Sequence, residues 1–165
     1  MKIRRLNDRD DRMALSRIYE KSWRFAYQGI IPQDYLDGIP AGRWAHAFDR
    51  PGTNTLVCEE NRLLIGAVCL CRSRFNRWPE AGEIISIYFL PEWIGFGYGR
   101  QLMRSALDEL KKQGFRTVFL WTLEDNVRAR RFYERIGFIC TGDIIEDCIG
   151  GKNLREIRYE ITLEP

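Results

Sequence analysis

Three alternate glycines, Gly95, Gly97 and Gly99, stand between the apolar run Glu83 to Phe89 and an amphipathic stretch that begins at Gly99. In that stretch Leu102, Met103, Ala106, Leu107 and Leu110 recur at spacings of three and four, so Gly99 to Gln113 reads as a helix with one apolar face. Gly114 ends it, with Lys111 and Lys112 in the last turn, where positive charge suits the helix dipole. Glu83 to Phe89 and Val118 to Leu123 read as strands on either side. A strand, a helix and a second strand in this order make a crossover unit whose two strands run parallel. The glycines let the backbone approach a ligand closely and turn its N–H groups outward, and the helix N-terminus adds a positive dipole end. The turn therefore suits an anion. Its spacing is G-x-G-x-G, which excludes the dinucleotide pattern G-x-G-x-x-G, and no G-K-[ST] ending makes it a P-loop.

The rest of the chain builds around this unit. Lys2 to Leu6 reads as a short strand, followed by a helix capped at Asn7 or Asp8 with apolar positions Met13, Leu15, Ile18, Tyr19 and Trp23. That helix ends before Gly29. Pro32 opens a short helix through Leu36, and another covers Arg43 to Phe48. Thr53 to Glu59 and Leu63 to Cys71 pair as a hairpin across Glu60-Asn61-Arg62. Beyond the crossover, Val127 to Ile136 reads as a helix capped by Asn126 or Asp125 and stopped at Gly137. Phe138 to Ile149 and Arg155 to Leu163 are two closing strands joined by Gly150-Gly151. With no repeat and no linker, residues 1–165 read as one domain.

Composition removes whole classes of function. Hydrophobic residues at 45% and charged residues at 30% describe a globular chain rather than a disordered one. The longest apolar run, Leu63 to Cys71, is far short of the roughly 20 residues of a membrane-spanning helix. The first residues carry charge without the apolar stretch of a signal peptide, so a cytoplasmic location is expected. The cysteines at 58, 69, 71, 140 and 148 are odd in number and form no C-x-x-C pair, as reduced structural thiols do. His46 is the only histidine, no metal-ligand spacing is present, and no G-x-S-x-G elbow supports a nucleophilic triad. The net charge of +3 is too balanced for a nucleic-acid surface. Residues 100 to 135 nevertheless hold nine basic and five acidic side chains, an excess beside the glycine turn.

The strand Glu83-Ile84-Ile85-Ser86-Ile87-Tyr88-Phe89, the Pro91-Glu92-Trp93 connection and the glycine turn closely resemble the acetyl-CoA-binding signature of the GCN5-related N-acetyltransferases (GNAT). A second signature of that family is similar to Leu120 through Phe138, where Asn126, Phe132-Tyr133 and Gly137-Phe138 stand in its order. Together the two cover about residues 83 to 138. One position departs: the family usually carries Arg or Gln at the start of the turn, and this chain has Ile94. The resemblance implies an α/β fold of the α+β type: a mixed, mostly antiparallel sheet of about seven strands, splayed between the fourth and fifth and flanked by about four helices.

It also implies a chemistry. Acetyl-CoA would be the co-substrate, with no metal. Its pantetheine and acetyl groups would meet the backbone of Ile87, Tyr88 and Phe89. Its pyrophosphate would meet Ile94, Gly95, Phe96, Gly97, Tyr98 and Gly99, with Arg100 adding charge, and Asn126 would contact CoA. Tyr133 would stand near the CoA sulfur as general acid, and a backbone N–H would receive the acetyl oxygen as charge develops. A lysine-like amine of pKa about 10.4 is neutral about once in 2,500 at pH 7, so direct attack in a ternary complex needs help with that proton. Glu83 is the expected base, because some members carry a catalytic glutamate at the start of this strand. Other members place one five residues before the Asn, which here is Trp121. By alternation Glu83, Ile85, Ile87 and Phe89 share one face and Ile84, Ser86, Tyr88 and Leu90 the other. The acceptor would be a small-molecule amine or a protein amino group, with no nucleic-acid or membrane partner, and a homodimer stays open. The alternative is a non-catalytic CoA-binding sensor or docking module on the same fold.

Overall fold

The computed structural model describes residues 1–164. Its elements run β1 (Lys2–Arg5), α1 (Arg12–Ala26), α2 (Gln33–Asp37), a 3-10 turn (Ala45–Asp49), β2 (Thr53–Glu60), β3 (Leu63–Arg72), β4 (Gly82–Phe89), a 3-10 turn (Pro91–Trp93), α3 (Tyr98–Lys112), β5 (Thr117–Leu123), α4 (Val127–Ile136), β6 (Ile139–Ile149) and β7 (Lys152–Thr162). All seven strands join one sheet in the order β1-β2-β3-β4-β5-β7-β6. The β4–β5 pair is parallel and every other pair antiparallel, as the crossover through α3 requires. Because β6 and β7 form a hairpin at Gly150-Gly151, the last strand rather than the sixth lies against β5.

The two faces of the sheet bury different helices. On one, Leu102, Met103, Ala106 and Leu110 of α3 are sealed against Leu56, Val68, Leu70, Ile84, Val118 and Leu120. Each such leucine contributes about 1.5–3 kcal/mol by leaving water. Phe132, Tyr133 and Ile136 of α4 pack against the same cluster. On the other face Leu15, Ile18 and Tyr19 of α1 cover Val57 and Ala67, while Leu36 of α2 covers Leu123 and Leu154. Two buried polar groups pin the loop after α2: Ser16 Oγ donates to Glu20, whose carboxylate accepts the Gly42 N–H at 2.8 Å, and Trp44 N–H donates to Ser16 Oγ at 3.0 Å.

The caps follow local chemistry, with one displacement. Asp11, not Asn7 or Asp8, caps α1, its carboxylate accepting the N–H groups of Met13 and Ala14. Arg4 claims Asp10 and closes residues 7–10 into a turn, which delays the helix. Asn126 caps α4 through the Ala129 N–H, and Gly137 ends it in the left-handed conformation at φ +116°. Cys58, Cys69 and Cys71 are buried, whereas Cys140 and Cys148, on the edge strand β6, are exposed. Burial pushes the thiols of Cys58 to about 11 and Cys71 to about 12, so neither supplies a thiolate at neutral pH.

Candidate active site

The site begins at a break in register. Along the β3–β4 ladder Cys69 faces Ser86 and Leu70 faces Ile84, which leaves Ile85 without a partner. A bulge of this kind turns the following residues by one position and bends the strand. Ile84 accordingly joins the α3-side cluster together with Ile87 and Phe89, while Ser86 and Tyr88 meet Tyr19 of α1. The strict alternation expected across Glu83 to Leu90 is therefore broken at Ile85. The parallel β4–β5 ladder consists of Gly82–Val118, Glu83–Phe119 and Ile84–Leu120, and it stops at the bulge. Past that point β4 and β5 separate, and the cavity that opens between them has a volume of about 490 Å³.

At the outer end of the cavity lies the glycine turn. Gly95 and Gly97 adopt φ +99° and +80°, a conformation that side chains with a Cβ resist. Gly97 is the N-cap of α3 and offers no side-chain cap. Among the described residues, the N–H groups of Gly95 through Arg100 donate to no acceptor. Six consecutive free donors at a helix N-terminus make a strong anion cradle. Arg100, Arg128 and Arg135 line the same cavity and add positive charge. Ile94, where a long polar side chain was expected, lines it as well. Phe96 and Tyr98 do not: their rings stack on one another, with Tyr98 also stacked on Trp93, which does line the cavity, and Phe96 is 64% exposed. Only their main chain faces the expected task.

The inner end is walled by tyrosines. Tyr27, at the end of α1, and Tyr88 share a hydrogen bond of 3.0 Å, and Tyr133 of α4 lines the same space. Burial pushes all three phenols upward, so each remains protonated and serves as a hydrogen-bond donor rather than a base. Asn126 lines the cavity while its side chain caps α4. Thus the structure gathers Ile87, Tyr88, Phe89, Ile94, Gly95, Gly97, Gly99, Arg100, Asn126 and Tyr133 around one cavity.

Glu83 stands apart from them. It is 1% exposed and does not line the cavity; its two oxygens accept from the Arg74 side chain at 2.6–3.2 Å and from the Arg74 backbone N–H at 3.0 Å. A carboxylate so engaged anchors residues 73–81 to the sheet, and the geometry does not offer it to an acceptor amine. Reasoning from sequence also missed Ser22 of α1, which reaches the cavity wall, where its Oγ donates to the Phe89 carbonyl. Gly66 was missed too: a Cβ there would meet the Phe89 ring at 2.5 Å, so glycine is what lets that ring close the floor beside the gap. Neither position carries a motif, since both are set by tertiary contact.

A thin extended ligand with amides, an apolar arm and a diphosphate fits this arrangement: free N–H groups and arginines at the mouth, unpaired strand edges along the gap and hydroxyl donors at its end. The model of the Acetyltransferase (GNAT) family matches residues 13–138. An uncharacterized N-acetyltransferase of Archaeoglobus fulgidus is 32% identical over 138 residues, covering 81% of this chain and 89% of its own. The crystal structure of the PaiA N-acetyltransferase from Thermoplasma acidophilum, in complex with coenzyme A, superposes with a TM-score of 0.73 at 20% identity, over 98% of both chains. That of yncA from Salmonella typhimurium, with its cofactor acetyl-CoA, does so with a TM-score of 0.73 at 22% identity, covering 100% of this chain and 95% of its own. The structural likenesses establish the fold.

Proposed function

The chain belongs to the GNAT family of acetyltransferases, and from that premise we propose that its cavity takes acetyl-CoA and passes the acetyl group to a primary amine by direct attack. The observation that carries this reading is the row of free N–H groups at residues 95–100, opening onto the gap between β4 and β5. The pyrophosphate lies on that row, with Arg100, Arg128 and Arg135 compensating for the missing polar side chain at Ile94. The pantetheine arm runs along the unpaired edges of Ile87, Tyr88 and Phe89. An N–H of this edge receives the acetyl oxygen as it gains negative charge.

The amine nitrogen attacks the acetyl carbon, the C–S bond breaks, and the sulfur takes a proton released from the nitrogen. Tyr133, held protonated by burial, donates a hydrogen bond to the sulfur as its charge grows. Its raised pKa argues against full proton transfer, because a thiol titrates near about 8.5. Asn126 keeps α4 aligned beside the ligand while contacting CoA. Residues 1–165 act as one N-acetyltransferase domain. The five free cysteines suit a reducing compartment such as the cytoplasm, and no helix among the described residues is long and apolar enough to cross a membrane.

The test is twofold. Acetyl-CoA raises the unfolding temperature of the purified protein while NAD and ATP do not, and thiol is released when amines are added. Protection without selectivity sinks the cavity assignment. Selective protection with no thiol release across a broad amine panel favours the sensor or docking module instead.

A further inference from the structure

On the sheet face that carries α1 and α2, most carboxylates already have partners. Glu83 is held by Arg74, and Asp143 and Glu160 by Arg158. Glu156 of β7 differs: it is half-buried, and no hydrogen bond or ion pair among the described residues engages it. Its place is set by the β5–β7 ladder, where Glu156 faces Leu123 and Arg158 faces Trp121. Residues facing one another across an antiparallel pair project to the same side, so Glu156 stands on the side of Trp121, which lines the cavity. Leu123, which Glu156 faces, belongs to the cluster against which Trp23 and Tyr27 pack, and the Glu156 charge adds to the burial that raises the phenols of Tyr27 and Tyr88, although Glu156 itself is not among the residues lining the cavity.

One further polar group here lacks a partner: the indole N–H of Trp121 is buried and donates to nothing. Trp23 packs edge-on to Tyr27 with ring centroids 4.9 Å apart, and Trp121 lies 5.7 Å from Phe75. An unpaired carboxylate among aromatic walls calls for a cation with an apolar body. The titratable and charged groups that interact with Glu156 electrostatically are Asp147 of β6, Arg74 of the β3–β4 loop, Tyr27 at the C-cap of α1 and Tyr88 of β4. Burial first and Asp147 second raise its carboxyl, which favours accepting a proton, and Arg74 opposes them.

We propose that Glu156 receives the ammonium group of the acceptor and takes its proton, so that the acceptor is a cationic primary amine on an aromatic or apolar body. This rests on the acetyl-transfer reading above and adds the base and the acceptor class to it. The charges and atoms balance. R–NH3⁺ gives one proton to the Glu156 carboxylate, and the freed amine lone pair forms the N–C bond to the acetyl carbon. The C–S bond electrons leave with sulfur, and the second nitrogen proton goes to that sulfur, giving R–NH–COCH3 and CoA thiol. Glu156 then returns its proton to water.

The experiment compares benzylamine, a cation at pH 7, with aniline, which is neutral there and needs no base before attack. Wild type and Glu156→Gln are assayed for thiol release with each amine, alongside thermal protection by acetyl-CoA. The expected result is a fall of about 100-fold or more in kcat/KM for benzylamine, a change within about threefold for aniline, and undiminished protection. Glu156→Asp, which draws the charge back by one methylene, shows the same selectivity at about 10-fold and serves where the Gln variant does not fold. Equal losses for both amines, no loss for benzylamine, or a protected wild type that acetylates neither would overturn the proposal. A wild type that acetyl-CoA does not protect overturns the underlying reading instead.

Discussion

Replacing Gly97 with alanine isolates the backbone conformation of the anion cradle from any clash. Gly97 sits at φ +80°, and a Cβ built there finds nothing within 4 Å, so the whole effect comes from forcing an L-residue into the left-handed region. That costs about 1–2 kcal/mol. For a chain of this size it lowers the unfolding temperature by about 2–8 °C. Gly114, after α3, is a matched control: φ +92°, again with nothing within 4 Å, but at the far end of the helix. Both variants are expected to lose similar stability. Only Gly97→Ala should also weaken acetyl-CoA, because relaxing the turn re-aims the free N–H groups of residues 95–100. If relaxation transfers the same 1–2 kcal/mol to binding, the loss is about 5- to 30-fold. Calorimetric titration with acetyl-CoA, beside thermal unfolding of each apo variant, reads both quantities. Equal affinity losses in the two variants, or destabilised Gly97→Ala with undiminished affinity, would refute the assignment of these amides to the diphosphate.

Other consequences can be measured separately. Tyr133→Phe is expected to lower kcat by about 10-fold or more while leaving acetyl-CoA affinity within about threefold, and steady-state kinetics with calorimetry separates the two. Arg74→Ala strands the buried Glu83 carboxylate and should cost about 2–3 kcal/mol in chemical denaturation, below the full buried-pair penalty because Arg74 itself is half-exposed. Glu83→Gln should keep turnover within about threefold; a collapse of turnover would return the base to Glu83. Arg4 holds the Asp10 carboxyl below its ordinary range through hydrogen bonds of 2.7 Å to both oxygens. Since the folded-state pKa is the lower one, its stabilisation is present above the unfolded value of about 3.9 and lost as pH falls through the folded value. Asp10→Asn should therefore be less stable than wild type at pH 7, with the gap in unfolding temperature narrowing below about pH 4; a constant gap would contradict this.

What could be read from residues alone was set locally. Gly114 and Gly137 announce helix ends because left-handed backbone needs glycine, and the stripe on α3 follows from its period. Asn126 likewise reads as a cap before any fold is known. The bulge at Ile85 was hidden, since it exists only in the pairing of β4 with β3, and with it went the division of faces along β4. Glu83 misled for a related reason: its engagement depends on Arg74, nine residues earlier in an irregular loop. Ser22 reaches the site from a helix distant in sequence, with no spacing that marks it. The outward turn of Phe96 and Tyr98 was invisible because a glycine-rich turn does not fix where its neighbours' side chains go.

A flat ribbon of strands ends in two raw margins, but the early parting of β4 from β5 gives this one four. The two extra margins face each other inside the molecule, flanked by α1 and α4. Unspent hydrogen-bonding capacity that would invite aggregation on an outer rim is thereby kept in reserve for a guest slender enough to slide in lengthwise.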